Sequence, residues 1–188
     1  MNKISMPFPG RELAKEELSR DSCYGKVPEC DRSKIIDNAW LKGVRAAEMV
    51  FGRYRGERNF LRIAEESGLT CIKADRDYVM GNQRYFSDYL TGQKRIQLYM
   101  KSISLWAEEN GMELDEAVNL ILSHEYYHFL EWNELGMTSK DYQVPMVKLG
   151  RLKIGRTGIR ALSEIGAHGF AGRYYQLSNN LPADLYTP

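Results

Sequence analysis

From position 113 to position 135 the chain carries an apolar pattern of helical period, and inside it the stretch LILSHEYYHFLEW sets two of the protein's three histidines four residues apart. With His124 at 0° on a helical wheel, Leu114, Ala117, Val118, Ile121, Phe129, Trp132 and Leu135 fall between about 20° and 140°. His128 falls near ~40° and Glu125 near ~100°, so these polar groups point with the apolar stripe into the protein. Glu116, Ser123, Tyr127 and Glu134 take the other side. An inward carboxylate without a partner is costly, so Glu125 needs one. Any fold open to this chain has to bury the helix and meet its polar groups.

Two imidazoles one turn apart rise about 6 Å along the helix axis, within reach of a single metal ion. Glu125, displaced around the helix, can flank such an ion without binding it. There it could take a proton from an activated water and pass it to a leaving amine. The bland alternative is a pair of core histidines with satisfied hydrogen bonds. Two histidines do not make a tight zinc site, so a third ligand must come from elsewhere. The segment RTGIRALSEIGAHGFAGRYYQL reads as another helix, with Thr157 as its N-cap. On it Ala161, His168, Ala171 and Gly172 lie within about 80° of Glu164, a small face that would allow close approach to the histidine helix. Glu131 and Glu134 are set aside as lying on the wrong side of the first helix. Asp141, in a connection broken by Gly136 and Pro145, is the weaker competitor.

The rest of the chain supplies a frame. Residues 1–32, where Pro7, Pro9 and Gly10 precede a short charged helical stretch at 11–20 and a turn-rich segment with Gly25 and Pro28, read as weakly organised, and residues 178–188 as a tail. From Ser33, an N-cap candidate, Ile36, Trp40, Val44, Ala47, Phe51 and Tyr54 recur at helical steps. ERNFLRIAEES reads as a further helix ending at Gly68. LTCIKA reads as a strand, and QRYFSDYL and KRIQLYM as two more joined into a hairpin at Thr91-Gly92. This is an α+β pattern for one domain over 1–188.

At this point the residues resemble a family. A His-Glu-x-x-His helix followed by a glutamate on a later helix is the gluzincin arrangement of the zincin metallopeptidases. Glu164, Ala167, Phe170 and Ala171 look like the E-x-x-A-N-x-F-A pattern of the ImmA/IrrE-like zinc peptidases, over roughly residues 55–177. The resemblance implies a zincin-like fold, with a small, mostly antiparallel sheet packed on the two helices. It implies Zn²⁺ held by His124, His128 and Glu164, and Glu125 as general base. It also implies cytoplasmic hydrolysis of a peptide or protein substrate. His168 stands where the family has Asn, and the connection from His128 to Glu164 is long. His168 could be a fourth ligand, a core histidine, or a residue assisting catalysis by hydrogen-bonding Glu164 or a developing oxyanion; the last is favoured, since three ligands suffice. The alternative function is a non-catalytic metal-binding domain that engages a partner protein.

Charge narrows the partners. Lys plus Arg number 26 against 25 acids, and no helix-turn-helix is evident, so nucleic acid is not an expected partner. No apolar run approaches the ~20 residues of a membrane span, and the N-terminus lacks an apolar signal region. Cys23, Cys30 and Cys71 are read as thiols in a reducing cytoplasm. KRIQLYM is weighed as an edge strand for peptide pairing against a plain half-buried strand. The acid-free run with Lys148, Arg151, Lys153, Arg156 and Arg160 reads as a solvated loop, and its glycines make it a candidate flap. Tyr126 and Tyr127 are assigned to packing.

Overall fold

The computed structural model describes residues 9–149 and 152–182. It is an α+β structure built around helix α5 (Leu114–Leu130), which carries both histidines and is buried on nearly all sides. Leu120, Leu122, Tyr126, Tyr127 and Leu130 are buried as well as the expected stripe, whereas Leu114 and Trp132 are exposed. The single-sided wheel is therefore corrected: α5 is a central helix, as its high apolar content requires. Its α-helical turns stop at Leu130 and widen into a π turn over Glu131–Leu135.

Several elements pack on α5. Helix α3 (Phe60–Glu66), capped by the Asn59 side chain, and Gly68 in the left-handed region (φ +77) follow the sequence expectation. Strands β1 (Thr70–Ala74), β4 (Ser87–Leu90) and β5 (Arg95–Tyr99) form a sheet in the order β1-β5-β4. The β4–β5 hairpin is antiparallel, but β1 pairs parallel to β5, so this sheet is mixed. KRIQLYM is thus a central strand, with Ile96 and Leu98 fully buried, and the edge facing α5's polar groups belongs to β4. The expected single strand QRYFSDYL is two: its first half, β3 (Gln83–Tyr85), pairs instead with β2 (Tyr78–Met80). Helix α4 (Met100–Glu109) follows β5 directly.

The second half of the frame is helical. Helix α2 (Glu29–Arg53) begins four residues before Ser33, because Pro28 can open it and Glu29 and Asp31 favour its positive end. It crosses helix α6 (Ala161–Ser178) at near-contact. A Cβ on Gly43 would stand 1.9 Å from the Gly166 carbonyl oxygen, and one on Gly169 would stand 2.6 Å from that of Trp40. Only glycine fits there. The expected start of α6 at Thr157 is corrected, since Thr157 lies in strand β7 (Leu152–Gly158), paired with β6 (Gln143–Leu149). The basic run is accordingly mostly a hairpin rather than a loop; Gly150 and Arg151 lie outside the described residues.

The short helical stretch expected at 11–20 is present, and the region around it is better organised than its composition implies. Helix α1 (Ala14–Ser19) packs on α6 through Leu18, and the Asp21 carboxylate accepts a hydrogen bond from the Ala161 N–H at 3.0 Å. A residue 140 positions away thereby caps the helix that carries Glu164. Met1–Phe8 and the tail from 183 onward lie outside the described residues. No described helix is long and apolar enough to cross a membrane.

Candidate metal centre

Helices α5 and α6 pack side by side and bring His124, His128 and Glu164 together. The two Nε2 atoms are 3.3 Å apart. Glu164 reaches both, with Oε2 at 3.2 Å from His124 Nε2 and Oε1 at 3.6 Å from His128 Nε2. Donor atoms held tetrahedrally at ~2.0–2.1 Å from one centre stand about 3.3–3.4 Å from each other. The observed separations, to the two oxygens of one carboxylate, lie near that size, and one donor atom from each residue falls within 4.8 Å of the others. Two imidazoles and one carboxylate are also a donor set that suits zinc chemically. Among the described residues this is the group of three His, Cys, Asp or Glu side chains close enough to share an ion. The cysteines take no part and are unpaired with one another, Cys30 exposed and Cys23 and Cys71 partly covered. Asp141 is held elsewhere, by Lys42 at 2.8 Å.

The charges are mutually supporting. Enclosure opposes ionisation of Glu164, yet hydrogen bonds and positive charge from His124 and His128 outweigh it and hold the carboxyl well below its ordinary range. Burial likewise opposes protonation of His128, but Glu131 and Glu164 raise its pKa well above the usual imidazole value. His168 behaves oppositely. Burial, followed by the charge of His124, pulls it down to about 3.

Glu125 is buried, at 8% exposure, and accepts a hydrogen bond from Ser87 Oγ at 2.7 Å. That serine opens edge strand β4, and it is the partner the inward carboxylate required. Glu125, His124 and His168 share a cleft of about 820 Å³ whose walls include Ser87, Trp106, Glu116 and Tyr175. Pro9, Glu12 and Leu13 form part of the same wall. His168 lies beside His124, ring centroids 5.2 Å apart, and outside the three-donor group.

One expectation is overturned outright. Glu131 does not face away from the histidines: it is 1% exposed and its Oε2 lies 2.9 Å from His128 Nδ1. Its position on the wheel is about −20° from His124, so spacing alone could have found it. Three residues after His128 is one helical step, within side-chain reach. Glu134, by contrast, does face away and pairs with Arg53 at 2.7 Å. No protein-family model, curated protein or solved structure matches this chain.

Proposed function

We propose that the protein is a zincin-like, zinc-dependent metallopeptidase. The observation that carries the reading is the donor group of His124, His128 and Glu164 with the buried Glu125 beside it, His124 and Glu125 both lining one cleft. The residues fit a zinc ion, which when bound would polarise a peptide carbonyl and draw the pKa of a water toward ~7.

The chain's own groups divide the remaining work. Glu125, hydrogen-bonded by Ser87 and facing the cleft, takes the proton of the attacking water and returns it to the leaving amine. Ser87 fixes which carboxylate oxygen is left facing the cleft. Edge strand β4 begins at this point, so an extended peptide that adds to its free edge is drawn past Glu125. His168, in the same wall, offers a ring nitrogen to the developing oxyanion or to Glu164. Trp106 and Tyr175 provide apolar surface for substrate side chains.

The test is Glu125→Gln, which keeps the shape and removes the base. Zinc should stay bound while peptide hydrolysis falls by about 10²-fold or more. Equal turnover by variant and wild type would remove Glu125 from the mechanism. A wild type that holds zinc but cleaves nothing in a broad protein and peptide panel would favour a binding role for the centre.

A further inference from the structure

Glu131 makes three hydrogen bonds from a fully buried position. Oε2 meets His128 Nδ1 at 2.9 Å, and Oε1 accepts from the Thr138 N–H at 2.7 Å and from Ser163 Oγ at 2.9 Å. Thr138 and Ser163 are themselves buried. An ionised carboxylate can only accept, so its contact with His128 requires the proton on Nδ1. In the neutral ring the lone pair then sits on Nε2, the atom that faces His124 and Glu164. Ser163 is the residue directly before Glu164 in the chain. Its hydroxyl also accepts from the Ser139 N–H at 3.1 Å, which leaves its proton directed to Glu131.

We propose that Glu131 is a positioning residue of the metal centre, setting the tautomer of His128 and tying the helix of both histidines to the helix of Glu164. Packing alone does not call for this residue. Taking a carboxylate out of water carries a large desolvation cost, and an apolar side chain would fill the space without it. The charge has a use if His128 must keep one proton placement. The helix also changes at this residue, widening from α to π over Glu131–Leu135, a departure that often marks functional sites. The sequence shows the contrast within one turn: Glu134 faces the surface and Arg53, while Glu131 faces the site.

The inference rests on the metal-centre reading, and the experiment separates the two. Glu131→Gln keeps the volume and can still accept from Thr138 and Ser163 with its carbonyl oxygen. Its amide then donates to His128 Nδ1, which forces the proton onto Nε2 and blocks the ligand atom. Zinc affinity of the full chain, measured by chelator competition, should fall about 10- to 100-fold, while the melting temperature of the metal-free form changes little. Two-bond ¹H–¹⁵N imidazole spectra of metal-free protein, recorded where the ring is neutral, should show His128 as Nδ1–H in the wild type and Nε2–H in the variant. Wild-type His128 found as Nε2–H overturns the inference even if the variant fails to fold. Equal zinc affinity in wild type and a folded Glu131→Gln also overturns the inference and leaves the metal reading standing. A wild type that takes up no zinc contradicts the metal reading, and with it the positioning role.

Discussion

The floor and the rim of the cleft are built on opposite principles. The floor is α5 against α6, where Glu125 and Glu131 have hydrogen-bond partners and a Cβ on Gly166 would stand 2.5 Å from the Tyr127 hydroxyl; behind it α2 crosses α6 with no room for a Cβ at Gly43 or Gly169. The rim is β2, β3 and the edge of β4, short strands whose residues stay half-buried or exposed, with Val79 at 50% and Met80 at 58%. Close packing transmits any error in a side chain's position to its neighbours, so a rigid floor preserves ligand geometry. A rim with an unpaired strand edge can adapt to a partner of varied sequence. Positions that define chemistry and positions that meet substrate are thereby separated in the fold.

Substitutions in the floor should have the largest effects. His128→Ala removes one of three donors and leaves Glu131 without its imidazole, so bound zinc, read by elemental analysis, should fall from about one per chain to near zero. Retained stoichiometric zinc in that variant would break the contrast at its strongest point. Gly43→Ala removes no polar side chain, yet the new methyl would overlap the Gly166 carbonyl. Overpacking of this kind costs about 3 kcal/mol, which for a chain of this size lowers the melting temperature by roughly 6–12 °C. Calorimetry showing no change would mean the α2–α6 crossing yields easily and the floor is not rigid.

At the rim the effects should be smaller and of another kind. Tyr85 lines the cleft on β3 and packs against Tyr78, ring centroids 5.4 Å apart. Tyr85→Ala should leave zinc content unchanged and raise KM for a peptide by up to about tenfold, a change of ~1.4 kcal/mol in binding. A fall in kcat with KM unchanged would place Tyr85 with the floor instead.

The sequence disclosed the floor more fully than the rim, and the reason is physical. His124, Glu125, His128 and Glu164 lie on helices, where a fixed turn converts spacing into direction, so their convergence could be argued before any coordinates. The same rule sets Glu131 at about −20°, beside the histidines, so grouping it with Glu134 on the far side misreads the wheel. The mixed sheet was hidden for a different reason. Nothing local in LTCIKA distinguishes a parallel from an antiparallel partner, and the pairing with β5 depends on the chain path between them. QRYFSDYL carried no breaker to mark its division at Phe86 between two sheets. The N-terminal wall was the least legible part. Asp21 acts through a hydrogen bond to a residue 140 positions away, and Pro9 and Leu13 line a cleft shared with His124 and His168, none of which composition can report.

The central claim is that His124, His128 and Glu164 together hold one metal ion. Anomalous diffraction at the zinc edge, on crystals of protein purified without added metal, tests it most directly. The expected result is a single peak per chain at about 2.0–2.1 Å from Nε2 of both histidines and from a carboxylate oxygen of Glu164. A peak that leaves out Glu164, or crystals that take up no zinc at this triangle even when it is supplied, would contradict the claim.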